Sequence, residues 1–213
     1  MSVNIIRQVK LMPKIVDKKK KAEAISDAAL KVFRKNGYYK TRMADIAQMA
    51  GMGKGTLYEY FKDKADILRF VFDQYFNVFS EGILEAMKEK TTPSEKILSL
   101  IDFAIQHAAE WEDHCAIYID YFSAARTDEG KRFSLSGIYA EMKDILENLI
   151  KEAESAGEID EQFDPGAVAE LLLSIYDGII LHKIFAGQRI KMDLIRKTTM
   201  ALVIQGLLVG KSK

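Results

Sequence analysis

Between Thr41 and Lys64 the chain concentrates groups that bind rather than groups that react. Lys54 and Lys64 bring ammoniums, Arg42 a guanidinium, Thr41 and Thr56 hydroxyls, and Tyr58 and Tyr60 phenols; Gly55 adds backbone with no side chain to hold a ligand away. Cationic groups neutralise phosphates, hydroxyls donate to phosphate oxygens or base edges, and an aromatic ring can contact a thymine methyl. The pattern of a catalyst is missing from the sequence: no glycine-rich phosphate loop, nucleophile elbow or paired-carboxylate spacing stands out. No enzymatic activity and no cofactor are expected. His107, His114, Cys115 and His182 do not fall at a known ligand spacing, so no metal is expected either.

The charge distribution points the same way. The whole chain is balanced, with 31 basic and 31 acidic residues. Residues 1–64, however, carry fifteen lysines and arginines against six carboxylates, a surplus of nine positive charges that the remainder offsets. Such a head suits a polyanion. The run Lys18 to Lys21 reads either as an arm reaching a nucleic-acid backbone or as a solvated helix start.

The elements that must position these groups are short helices. Ile25, Ala28, Ala29, Val32 and Phe33 recur at helical spacing, and Asn36-Gly37 supplies a stop. Thr41 is a plausible N-cap for a helix reaching Ala50, which Gly51 ends. Three residues, Gly51-Met52-Gly53, separate it from a helix over 54–60 in which Leu57 and Phe61 point inward together. Two short helices so joined form a helix-turn-helix, whose second helix enters the major groove. On that arrangement Lys54, Gly55, Thr56, Tyr58 and Glu59 face the groove, while Thr41, Arg42, Tyr60 and Lys64 flank it as phosphate contacts. Glu59 either accepts from cytosine N4 or faces solvent.

The order Ile46-Ala47-x-x-Ala50-Gly51-Met52-Gly53-Lys54-Gly55-Thr56-Leu57-Tyr58-x-Tyr60-Phe61-x-x-Lys64 resembles the DNA-binding domain of the TetR family, closely over residues 20 to 68. The resemblance implies a homodimeric, ligand-responsive transcriptional regulator, usually a repressor, acting on a palindromic operator in double-stranded DNA. It assigns phosphate contacts to Thr41, Tyr60 and Lys64 and base reading to Lys54, Gly55, Thr56 and Tyr58. Gly53 departs from the hydroxyl residue common at that cap, at a cost of a few tenths of a kcal/mol relative to serine.

Beyond residue 64 the sequence predicts helices over 63–87, 93–111, 115–126, 129–156, 166–186 and 192–209, about nine in all, and no strands. The expected class is all-α, with a helix-turn-helix domain over 18–64 and an effector-binding and dimerisation domain over 65–213. His107, Trp111, Cys115, Tyr118 and Phe122 recur three or four apart, faced by Tyr139, Met142, Leu146 and Tyr176; they read either as ordinary core or as the lining for a small apolar or aromatic effector. The last two helices are apolar on more than one side. Leu172, Ile175, Tyr176 and Ile179 with Leu202, Val203 and Gly206 are the expected dimer interface, a four-helix bundle shared by two chains.

A single cysteine excludes an intramolecular disulfide framework, and no charge-free stretch approaches the roughly 20 residues that span a bilayer. The expectation is a cytoplasmic protein without a membrane partner. The rival reading is a helical module whose Phe72, Tyr75, Phe76 and Phe79 stripe binds a partner helix or a membrane surface, without sequence-specific DNA binding.

Overall fold

The computed structural model describes residues 2–110, 115–125, 135–159, 162–186 and 189–208, with the side chains of 2–16, 110, 115–117, 125, 135 and 136 left out of the description. Nine helices are described: α1 (Ser2–Asn36), α2 (Met43–Met49), α3 (Lys54–Tyr58), α4 (Lys64–Met87), α5 (Pro93–Glu110), α6 (Cys115–Ala125), α7 (Leu135–Ser155), α8 (Pro165–Ala186) and α9 (Met192–Leu207). The fold is all-α. The expected start of the seventh helix at 129 lies outside the described residues. α1 begins at Ser2, well before its apolar stripe at Ile25 to Phe33.

The chain forms two compact units, and their boundary differs from the 18–64 and 65–213 division. One comprises Met1–Tyr75 with Ala116–Phe133; the other comprises Phe76–Cys115 with Ser134–Lys213. α4 runs through both, and α6 returns to the first. A division drawn along the sequence misses this, because α6 is recruited by contacts from residues more than forty positions earlier.

In the first unit, Ile25, Ala29, Val32 and Phe33 of α1 are buried together with Ile46 and Ala47 of α2 and Leu57 of α3. α1 packs on α2, and α2 on α3. The turns between them need a left-handed backbone: Gly37 has φ +76° and Gly51 φ +66°. At Gly51 the Met52 N–H returns to the Ala47 carbonyl at 3.0 Å, closing α2 as the sequence stop anticipates. The N-cap of α2 is Arg42 rather than Thr41. The Asp45 carboxylate accepts the Arg42 N–H at 2.9 Å, which satisfies the helix start without a hydroxyl.

The aromatic stripe of α4 is used internally. Phe72, Tyr75 and Phe79 are buried, so three of the four rings that the rival reading gives to a partner are not available to one.

In the second unit, α5 contacts α7, α8 and α9. Ile97, Leu100, Ile101, Ala104, Ile105 and Ala108 form its buried face. Its start is capped twice. Thr92 and Glu95 exchange hydrogen bonds at 3.2 Å, and Glu158 accepts from both the Ser94 N–H, at 2.8 Å, and the Ser94 hydroxyl. At its other end, the Lys183 ammonium donates to the Ala108 carbonyl at 2.9 Å and to that of Ala109, placing a cation at the negative end of the helix dipole. Arg196 grips Asp102 with two parallel hydrogen bonds, the longer at 2.8 Å.

Gly51→Ala is expected to lower stability by about 1–2 kcal/mol, the cost of a Cβ in the left-handed region. The melting temperature should fall by roughly 2–8 °C. A variant that melts with the wild type would show that the turn between α2 and α3 does not depend on this glycine.

Candidate nucleic-acid interface and effector cavity

α3 is five residues long and has no side-chain cap at Gly53, whose backbone is extended (φ −68°, ψ 147°). Its placement comes from packing. Leu57 is 0% and Phe61 6% exposed, which turns Lys54, Gly55, Thr56, Tyr58 and Glu59 outward. Tyr58 is 48% exposed. The face expected to read bases is therefore presented to solvent as one surface, with exposed Arg42 at the start of α2 and half-buried Tyr60 after α3.

Two of the expected phosphate contacts are engaged inside the protein. Thr41 is 2% exposed, and its hydroxyl donates to the Gly37 carbonyl at 2.8 Å. The Lys64 ammonium donates to the carbonyls of Tyr38 and Tyr39, each at 3.0 Å, and of Thr41 at 3.3 Å, and lies 4.6 Å from the centre of the Tyr38 ring. Position in the motif and the family resemblance pointed both residues at phosphates, and neither says which way a side chain turns. Tyr39 and Met49, large side chains that the sequence analysis does not single out, are about half exposed. Large apolar side chains carry no signal that separates surface from core when each stands at the end of an element.

α6 supports the head. Tyr121 stacks on Phe72 with ring centres 3.5 Å apart, and Tyr118 packs against both Phe72 and Phe122. Burial and the negative charge of Asp73 push the Tyr121 hydroxyl up to about 12, so it stays protonated. Burial also raises Asp120, although the Tyr38 N–H it accepts at 3.0 Å and the charge of Lys64 pull the other way.

The second unit holds a partly open apolar cavity of about 60 Å³. Leu100, Ile101, Ala104 and Ile105 of α5 form one wall, Met142, Ile145 and Leu146 of α7 a second, and Leu172, Leu173, Ile175, Tyr176 and Ile179 of α8 a third. Phe79 and Ile83 of α4 and Thr199 of α9 complete it.

Of the expected effector residues, Tyr176 lines this cavity, as do Met142 and Leu146 from the facing stripe. His107 does not line it; it packs edge-on to Phe79 with ring centres 5.2 Å apart. Tyr118 and Phe122 belong to the other unit, and the Tyr139 hydroxyl donates to Asp177 at 2.6 Å. Trp111 lies outside the described residues, as does the side chain of Cys115. The sequence pattern runs through residues 107–122, with a bend near Asp113-His114 that would break the face; His107 falls in one unit and Tyr118 and Phe122 in the other, and the cavity is lined instead by Leu100, Ile101, Ala104 and Ile105 of α5.

The expected dimer residues also divide. Leu172, Ile175, Tyr176 and Ile179 face the cavity and Val203 is buried, whereas Leu202 is 65% exposed and Gly206 is exposed. The exposed stripe of α8 runs instead through Leu171, Ser174, Gly178, Leu181 and Phe185. Both faces of α8 are apolar, and hydrophobicity alone does not say which turns inward.

Two family models match the chain. The bacterial regulatory proteins of the tetR family match residues 25–71, and the C-terminal domain of the BetI-type transcriptional repressors matches residues 93–207, more than half of the chain. The chain belongs to the TetR family.

It is a transcriptional regulator of that family. It is 27% identical to the fatty acid metabolism regulator protein of Bacillus subtilis over 89% of this chain and 97% of that one. It is 25% identical to the HTH-type transcriptional regulator BetI of Rhizobium meliloti, over 85% of this chain and 87% of that one. A solved structure of FadR from Bacillus subtilis in complex with stearoyl-CoA superposes with a TM-score of 0.72 at 27% identity, covering 86% of this chain and 98% of that one. Among the described residues, no helix is long and apolar enough to cross a membrane.

In this TetR-family chain, Gly82 of α4 lies at the tip of the Phe103 ring: a Cβ there would stand 2.1 Å from its outermost carbon. The ring is held on its other sides by Phe79 and His107. Alanine gains about 0.8–1 kcal/mol of helix propensity over glycine, but overpacking costs about 1–3 kcal/mol. Gly82→Ala is therefore expected to melt a few degrees below the wild type, and a higher melting temperature would show that the ring moves aside freely.

Proposed function

We propose that the protein is a repressor that binds a palindromic operator as a homodimer and is released by a long acyl chain delivered as an acyl-CoA. The observation that carries the effector class is the lining of the cavity, where, among the described residues, the hydroxyls of Thr199 and Tyr176 and the sulfur of Met142 interrupt aliphatic and aromatic carbon. Such a wall favours a methylene chain over a hydrated or charged ligand, because each buried CH2 contributes about 0.8 kcal/mol and a buried charge without a partner costs more than that. The likeness to a regulator solved with stearoyl-CoA supports the same class.

The head would place two α3 helices in successive major grooves about 34–36 Å apart. Lys54, Gly55, Thr56 and Tyr58 read bases, and Arg42 and Tyr60 hold phosphates. The exposed stripes of α8 and α9 form the two-fold interface, where Gly178 and Ser174 let the partner helix approach closely. Filling the cavity changes the separation of the heads; the effector weakens binding only by its differential affinity for the two states, typically about 1–3 kcal/mol. The protein acts in the cytoplasm, on the DNA that it finds there.

Binding of the purified protein to genomic fragments, including the one upstream of its own gene, tests this reading in a salt series with excess nonspecific competitor. One fragment should be retained and then released by stearoyl-CoA but not by free CoA or choline. Equal loss of every fragment at moderate salt would leave only an electrostatic patch. Release by choline and not by stearoyl-CoA would overturn the effector class.

Leu202→Arg, at a side chain that the fold itself leaves exposed, is expected to yield a folded monomer in analytical ultracentrifugation with a strongly weakened hold on the retained fragment. A variant that sediments as a dimer would remove α9 from the interface.

A further inference from the structure

The connection between α1 and α2 is held from two sides. From α4, the Lys64 ammonium takes the carbonyls of Tyr38, Tyr39 and Thr41. From α6, the Asp120 carboxylate takes the Tyr38 N–H at 3.0 Å, and Ser123 Oγ lies 2.9 Å from the Tyr39 hydroxyl. An ammonium has three N–H bonds, and here three carbonyls receive them. Thr41 immediately precedes Arg42, the N-cap of α2. A displacement of the Thr41 carbonyl is therefore a displacement of the first turn of α2, and α3 follows after only four residues.

We propose that Lys64 and Asp120 are positioning residues for DNA binding: together they fix the α1–α2 connection, and through it the reading helix, without touching DNA themselves. This rests on the reading of the head as an operator-binding surface. It removes Lys64 from the phosphate contacts and gives α6 a direct hold on the head. The two side chains complement each other in sign and in bonding, the cation collecting carbonyls while the carboxylate collects an N–H of the same short segment. A binding surface must be held to within about 0.5 Å of its working geometry, and a loop does not hold itself that closely.

Salt dependence separates positioning from phosphate contact, because each phosphate neutralised adds about one unit to the slope of log K against log salt. With the fragment that the wild type retains, Lys64→Ala should bind at least tenfold more weakly at every salt concentration, on a line parallel to the wild type. Arg42→Ala should flatten the line by about one unit. Asp120→Ala should behave as Lys64→Ala does, whereas Asp120→Asn, which still offers an oxygen to the Tyr38 N–H, should stay within about threefold of the wild type. In the DNA-free protein, hydrogen exchange at the Tyr38 amide should be at least tenfold faster in Asp120→Ala than in Asp120→Asn.

A slope flattened by Lys64→Ala would return that residue to a phosphate, and wild-type affinity in Asp120→Ala would sever α6 from the head; either result overturns the proposal. If Lys64→Ala does not fold, the Asp120 pair decides by the same two readouts. A wild-type chain that retains no fragment defeats the operator reading itself, which the amide exchange does not depend on.

Discussion

A five-residue helix does not hold its own shape, because nucleation costs more than so few hydrogen bonds return. The head of this protein is organised around that constraint. Leu57 is buried completely and Phe61 nearly so, and their burial, not the propensity of Lys-Gly-Thr-Leu-Tyr, makes α3 a helix and turns its polar face outward. Gly51 makes the tight turn possible, and α2 is in turn fixed by Ile46 and Ala47 against α1. The polar face can then be selected for what it binds, since it contributes little to holding itself in place.

The supports of the head extend beyond its own helices. α6 and the first part of α4 share its compact unit, and the stack of Tyr121 on Phe72 joins them. α4 begins at Lys64, against the α1–α2 connection, and its later residues Phe79 and Ile83 line the apolar cavity of the second unit. One continuous helix thus carries residues of both the head and the cavity.

The second unit shows a division of labour on single helices. α8 places Leu172, Tyr176 and Ile179 toward the cavity while Leu171, Leu181 and Phe185 remain exposed. A helix apolar on both sides can line a ligand site and still present a surface for association. The cavity is walled almost wholly by carbon, while the charges beside α5, Lys183 and the Arg196 and Asp102 pair, serve its ends and its outer side. Binding by such a wall is governed by the length and shape of an apolar group more than by specific polar recognition.

Much of this was legible in the sequence. Helical periodicity and the stops at Gly37 and Gly51 gave the helix-turn-helix, and the alternation around Leu57 gave its outward face, because these depend on neighbours within a few positions. The same holds for the all-α class and for most helix ends. What only the tertiary structure decided was the destination of side chains that have two plausible partners. Lys64 finds carbonyls more than twenty positions back, Thr41 turns inward to Gly37, and the apolar faces of α5 and α8 are sorted between cavity and surface by the helices that arrive against them. An ammonium suits a phosphate and a ring of carbonyls equally well, and a leucine suits a cavity and an interface equally well. Chemistry assigns the kind of partner a residue seeks, while the choice among partners of the same kind rests on distances that exist only once the chain has folded.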